Sequence, residues 1–175
     1  MSRILLGVTG SIAAYKAAEL ARLYVKAGDE VRVVMTEAAC EFIAPLTFQT
    51  LSRNPVETNQ FAPPAEWKPG HISLAEWADV AVVAPAMANT IAKIACGMAD
   101  NMLTSTLLAT RVKIFVAPAM NEGMWLAAAT RANIETLEKR GVTVILPEEG
   151  DLACGTKGTG RMAAPERIFK ETAGR

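Results

Sequence analysis

Two short apolar runs in this chain end in the same way. Val80-Ala81-Val82-Val83-Ala84 continues into Pro85-Ala86-Met87-Ala88-Asn89-Thr90, and Ile114-Phe115-Val116-Ala117 into Pro118-Ala119-Met120-Asn121, with Trp125 close behind. Each run reads as a buried strand of a parallel sheet, which need not alternate because both its faces are covered. In open α/β sheets ligands bind outside the carboxyl ends of the strands. Two such ends, each closed by Pro-Ala-Met and an Asn, predict two walls of one pocket. Three other places carry groups with chemical use. Thr9-Gly10-Ser11 joins a strand to a helix, where exposed N–H groups and the Ser11 hydroxyl suit a single phosphate, unless Ser11 merely caps the helix. His71 is the sole histidine; it ends a proline-rich loop, as a proton-transfer group or a structural one. Cys154 lies among Gly150, Gly155, Gly158 and Gly160, so it reads as a thiol on a flap rather than in a core. Arg161, just beyond, could bring charge to an anion.

The elements that must position these groups follow from periodicity and punctuation. Residues 3–8 predict a strand, 12–27 a helix stopped by Gly28-Asp29, and 30–35 a second strand, which together make a β-α-β unit. The turn offers only Gly7 and Gly10, so the G-x-G-x-x-G fingerprint is missing and a dinucleotide is disfavoured. Thr36 is placed as an N-cap, with its helix expected to run through Phe42 and stop near Pro45, and a further helical turn over 47–51. Residues 54–70 hold four prolines and predict loop, with a helical stretch at 75–78. Helices are expected over 89–97, 102–110, 130–140 and 166–170, and a last strand over 142–146. Residues 147–162 are expected to form a mobile flap with no core of its own. Five or so strands alternating with helices predict a single α/β domain over residues 1–175, built on a doubly wound, Rossmann-like parallel sheet.

Composition narrows the function classes. Lys plus Arg equals Asp plus Glu at 18 each, so no general basic field exists to hold nucleic acid. A hydrophobic fraction of 51% with no net charge suggests apolar surface shared between subunits. Cys40, Cys96 and Cys154 are odd in number and form no C-x-x-C, which argues against a metal site and suits a reducing cytoplasm. Cys40 and Cys96 read as buried apolar thiols. No stretch approaches the roughly 18 apolar residues of a membrane span. The apolar residues 4–8 lead straight into a glycine turn rather than forming a signal peptide.

Several of these short motifs together resemble the flavin-dependent cysteine decarboxylase family. They are Gly10-Ser11-Ile12, His71, the Pro-Ala-x-Ala-Asn-Thr run at 85–90, Ala99-Asp100-Asn101, Pro118-Ala119-Met120-Asn121 with Met124-Trp125, and Ala153-Cys154-Gly155. The resemblance spans residues 3–166, and within the family it is closest to the branch acting on phosphopantothenoylcysteine in coenzyme A biosynthesis. It implies FMN held by Gly10, Ser11, Ile12 and Thr36 around the phosphate. Met87, Ala88, Asn89, Thr90, Ala119 and Met120 would lie along the ribityl chain and ring. Met87 departs from the Ser or Thr common in the family, so a hydroxyl contact there is lost.

The resemblance also implies the chemistry. Direct decarboxylation of a C-terminal cysteine would leave an unstabilised carbanion, so the substrate thiol is first oxidised to a thioaldehyde whose C=S accepts the electrons left by CO2. The resulting enethiolate is then reduced and protonated. His71 would be the base or electrostatic partner during oxidation, Asn121 would hold the substrate carboxylate, and Cys154 would be the returning acid. Related alternatives are a lantibiotic-type peptidyl-cysteine decarboxylase, which lacks the Ala-Cys-Gly flap, and a flavin prenyltransferase, which lacks the motif around Asn121. A phosphatase-regulating flavoprotein would carry long acidic extensions. The resemblance further implies homo-oligomers, trimers or groups of trimers with FMN at subunit contacts. A synthetase domain or partner fits the same resemblance, the chain standing alone or forming one domain of a longer product.

Overall fold

The structure, a computed structural model, describes residues 1–63, 67–151, 155 and 157–173. Cys154 lies outside the described residues. Six strands form one parallel sheet: β1 (Arg3–Val8), β2 (Glu30–Met35), β3 (Val56–Glu57), β4 (Val80–Ala86), β5 (Lys113–Pro118) and β6 (Thr143–Val144), in the order β3-β2-β1-β4-β5-β6. The chain builds outward from β1 to β3, returns, and builds outward the other way from β4 to β6. That reversal is the doubly wound plan, and it opens a crevice between the ends of β1 and β4.

Continuous apolar runs such as β4 conceal an alternation that the structure makes visible. Val80, Val82 and Ala84 face one side with Ile4, Leu6 and Val8, while Ala81 and Val83 face the other with Leu5 and Val116. The first side is covered by α1 (Ala14–Lys26), α2 (Glu37–Cys40), α3 (Pro45–Ser52) and α9 (Pro165–Thr172). The second is covered by α4 (Gly70–Trp77), α5 (Ala88–Cys96), α6 (Met102–Ala109), α7 (Glu122–Leu126) and α8 (Ala128–Lys139). Among the described residues no helix is long and apolar enough to cross a membrane.

Several expectations shift. Helix α1 starts at Ala14 rather than residue 12, because Thr9 to Ser11 first form a tight turn closed by Ser11 N–H donating to Thr9 C=O at 2.8 Å. Thr36 does cap α2, its Oγ1 accepting from Ala39 N–H at 3.2 Å. That helix is a single turn, and Pro45 begins α3 instead of ending its predecessor. Proline suits a first helical position, where its missing N–H costs nothing. His71 sits within the first turn of α4 rather than in the preceding loop. Cys40 is half-buried against the core, its thiol pushed up by burial and then by Glu41 and Glu37, whereas Cys96, at the end of α5, is exposed instead of buried. The glycine-rich segment is not structureless along its described length. β7 (Glu148–Asp151) and β8 (Lys157–Arg161) pair as an antiparallel hairpin, with Gly158 and Gly160 buried.

Tyr24 ties the last helix to the first. It is fully buried, stacks edge-on against Phe169 at 5.4 Å, and shares a 2.5 Å hydrogen bond with the Thr172 hydroxyl. Burial pushes its phenol above the usual tyrosine range, up to about 12. The folded pKa is raised, so the unfolded chain releases this proton more readily, and the contribution is complete below pH ~10 and lost as pH rises toward 12. Urea unfolding between pH 9 and 12 is therefore expected to show a fall of roughly 2–3 kcal/mol that Tyr24→Phe abolishes.

Candidate active site

The site is built where the sheet reverses. Thr9, 1% exposed, stands just past the end of β1. Its hydroxyl donates to Pro85 C=O at 2.7 Å and accepts from Met87 N–H at 3.0 Å. One side chain thus fixes the turn after β1 against the end of β4. Ala119 N–H donates to Ala86 C=O at 3.1 Å, which joins the end of β5 to the same place. The two Pro-Ala-Met ends are neighbours by direct bonding.

Above them lies a cavity of about 560 Å³, lined by Gly10, Ser11, Ile12, Met87, Ala119, Met120 and Asn121 among others. This is a size typical of small-molecule sites. Gly10 is required by its neighbour, since a Cβ there would lie 2.6 Å from the Ala38 Cβ and 3.0 Å from its carbonyl carbon. The turn can therefore approach the α2 segment only without a side chain. Among the described residues the N–H groups of Gly10 and Ile12 meet no backbone acceptor, and α1 begins just beyond, with no acidic residue in its first turn. That arrangement favours an anion. Ser11 is not the helix cap; its Oγ accepts from Ala13 N–H at 3.2 Å within the turn.

Periodicity alone gave no reason to select Lys16, Tyr15, Phe42 or Asp151, yet all line the cavity, together with Arg161 from β8. The Lys16 ammonium donates to Met162 C=O at 3.3 Å, and burial, then the charge of Arg161, hold it below the usual lysine range. Two cations thus share one cavity. Asn121 caps α7, its Oδ1 accepting from Gly123 N–H at 2.8 Å. Among the described residues, Thr36, Ala88, Asn89, Thr90 and His71 stand outside the lining. Thr36 is engaged as a cap, and Ala88 begins α5. Asn89 is exposed, its Oδ1 accepting from Thr90 N–H at 2.8 Å, while Thr90 is buried. His71 is half-buried on α4.

A doubly wound sheet with a glycine turn, an anion-favouring helix start and an apolar pocket at its reversal point defines a mononucleotide-binding α/β protein. The family model described as Flavoprotein matches residues 1–175, and the chain belongs to that family. It is 51% identical over 166 residues to the coenzyme A biosynthesis bifunctional protein CoaBC of Haemophilus influenzae, covering 95% of this chain and 42% of the relative. The corresponding Bacillus subtilis protein is 50% identical over 167 residues, covering 95% and 41%. The chain therefore spans about two fifths of the curated relatives it matches. Among solved structures, a variant PPC decarboxylase complexed with pantothenoylaminoethenethiol superposes with a TM-score of 0.87 at 35% identity, covering 97% of this chain and 95% of that one. The FMN-dependent cysteine decarboxylase SpaF gives 0.86 at 31%, covering 98% and 94%.

The Thr9 latch can be tested without any ligand. Thr9→Val keeps the shape but leaves the Pro85 carbonyl and the Met87 N–H unpaired. The expected loss is about 2–4 kcal/mol of stability by chemical denaturation, against about 0.5 kcal/mol or less for an exposed control such as Thr50→Val.

Proposed function

We propose that this chain is an FMN-dependent phosphopantothenoylcysteine decarboxylase, a carboxy-lyase that converts 4'-phosphopantothenoylcysteine into 4'-phosphopantetheine for coenzyme A biosynthesis. The observation that carries this reading is the single cavity joining the Gly10 turn, both Pro-Ala-Met ends and Asn121. The similarity to a PPC decarboxylase and to CoaBC proteins supports the substrate.

The residues present fit FMN. The Gly10–Ile12 turn, with N–H groups that meet no backbone acceptor among the described residues, would hold the phosphate together with the Ser11 hydroxyl, with Thr36 at the adjoining strand end. Met87, Ala119 and Met120, which line the cavity, would lie against the ribityl chain and the ring, whereas Ala88, Asn89 and Thr90 stand outside its lining. When bound, the flavin would supply reversible hydride chemistry at the thiol-bearing carbon. His71 would receive the thiol proton as a thioaldehyde forms. Asn121 would hold the carboxylate by N–H donation, in an orientation fixed by the Gly123 N–H on its Oδ1. As CO2 leaves, its bonding pair passes into the C=S group, giving an enethiolate. Cys154 would then donate a proton to the carbon that lost CO2.

The family resemblance implies a trimer or groups of trimers, and the rim supports a homo-oligomer with the cavity at the contact between subunits. Ile12, Tyr15 and Phe42 line it while 58%, 56% and 53% exposed, a cluster of apolar side chains a neighbour would cover. In such an assembly His71 and Asn89 can serve a neighbouring cavity. A synthetase domain or partner, and a cytoplasmic setting that keeps the thiols reduced, belong to the same reading.

The test is anaerobic mixing of the yellow protein with phosphopantothenoylcysteine. Steady CO2 with phosphopantetheine formed and the yellow flavin restored is expected. Cys154→Ser should release about one CO2 per site and remain bleached, and Asn121→Ala should lose about 10- to 100-fold in kcat/KM. A yellow protein that releases no CO2 overturns the substrate, and a colourless one that binds no FMN overturns the cofactor.

A further inference from the structure

We propose that Lys16 and Arg161 form a subsite for the terminal phosphate of the substrate and so set the preference for a phosphorylated substrate. This rests on the decarboxylase reading above. Both side chains line the cavity, Lys16 from the first turn of α1 and Arg161 from the end of β8. The Lys16 ammonium donates to the C=O of Met162, the residue after Arg161, at 3.3 Å. Among the described residues that is its one hydrogen bond, which leaves two of its three N–H donors for a ligand. The Arg161 side chain lies over Gly150 of the paired strand, where a Cβ would come to 3.1 Å from the guanidinium Nη1. Glu148, Glu19 and Glu166 act on Lys16 only through space. Glu148 instead pairs with Arg167 at 3.8 Å, and Asp151, also in the lining, with Lys157 at 4.0 Å. Among the described residues neither Lys16 nor Arg161 forms a salt bridge. Two cations, one of them half-buried, therefore face the cavity without a paired carboxylate.

Three anionic groups belong to the proposed reaction: the flavin phosphate, the substrate carboxylate and the substrate phosphate. The flavin phosphate has its own donors in the Gly10–Ile12 turn, which packs against Ala38. The Lys16 ammonium is held elsewhere, at the Met162 carbonyl beside the hairpin. A cation on the carboxylate would oppose the chemistry, because it stabilises a charge that disappears as CO2 leaves. The neutral amide of Asn121 holds that group without such a cost. The terminal phosphate, in contrast, is untouched from substrate to product. Contacts to it bind the ground state and the transition state equally, so they act on KM rather than kcat. A phosphomonoester carries close to two negative charges at neutral pH, which two cations match. The guanidinium adds paired N–H donors suited to its oxygens.

The experiment gives the flavin-loaded protein phosphopantothenoylcysteine and pantothenoylcysteine, which differ only in the phosphate. The preference is the ratio of their kcat/KM values. Lys16→Met and Arg161→Gln should each lower it about 10-fold or more, through KM for the phosphorylated substrate. Lys16→Arg and Arg161→Lys keep the charges and should retain most of it. Calorimetry with the products supplies a readout without turnover. The parent should bind 4'-phosphopantetheine more tightly than pantetheine, and the double variant Lys16→Met/Arg161→Gln should bind the two alike. Release of FMN on dilution, followed by its fluorescence, should be as slow in the double variant as in the parent. A loss that falls equally on both substrates puts the cations at the carboxylate, and faster FMN release puts them at the flavin phosphate. Either result overturns the subsite, as does a parent that binds both products equally. If the parent releases no CO2 from either substrate, the decarboxylase reading fails instead, and the calorimetric preference alone decides the subsite.

Discussion

Everything at this site depends on holding β1 and β4 in register at the point where the sheet reverses. No covalent connection does this, because the two strands are separated by the whole β2–β3 excursion. Side chains latch them at both ends. At the amino end Arg3 N–H donates to the Asp79 side-chain Oδ2 at 2.9 Å and Asp79 N–H donates to Arg3 C=O at 2.8 Å, reinforced by the guanidinium–carboxylate pair. At the carboxyl end the Thr9 hydroxyl spans Pro85 and Met87. The two latches differ in kind. The first is solvent-exposed, and screening keeps its ionic part small. The second is buried, so each of its bonds carries the full cost of being broken.

The fold was legible because hydrophobic runs and glycine stops survive without tertiary information. β4 and β5 announce themselves, and the Pro-Ala-Met repeat correctly paired their ends. What remained illegible was long-range or geometric. Thr9 is an ordinary turn residue until a strand 76 residues away supplies its two partners. Pro45 has one meaning as a stop and another as a first helical residue, and only the backbone before it decides which. Cys96 sits in an apolar context in sequence, but the end of α5 turns it outward. The hairpin was read as unstructured because glycine favours flexibility. Here Gly158 and Gly160 are present for close approach to Glu122 and Met120, which is an opposite use of the same missing side chain.

The site was legible in its apolar half and less so in its charged half. Gly10, Ser11, Ile12, Met87, Ala119, Met120 and Asn121 meet around one cavity as their motifs imply. Lys16 was hidden on what looked like the solvent face of α1. Helix α9 and the end of the hairpin cover part of that face, and the ammonium then points to the Met162 carbonyl. A chain with no net charge can still concentrate positive potential locally, and Lys16 with Arg161 does so. Glu148, Glu19 and Glu166 partly offset the burial of Lys16 and its repulsion by Arg161, and a negative group in the cavity would offset them further.

That balance explains why the mobile-looking part of the sequence needs firm anchoring. Arg161 reaches the cavity from β8, so the hairpin carries a positive charge towards Lys16, partly balanced by Glu148 on the same hairpin. Two features hold the strand there. The Met120–Gly160 bond fixes the backbone one residue before Arg161, and Glu122 places a negative charge against Thr159, two residues before it. The same short segment of sequence, residues 120–122, therefore closes the end of β5, caps α7 through Asn121 and restrains the hairpin. Any ligand whose anionic group sits between Lys16 and Arg161 would replace repulsion with attraction and tighten the wall from the inside. Binding and hairpin placement are then coupled through charge as well as through shape.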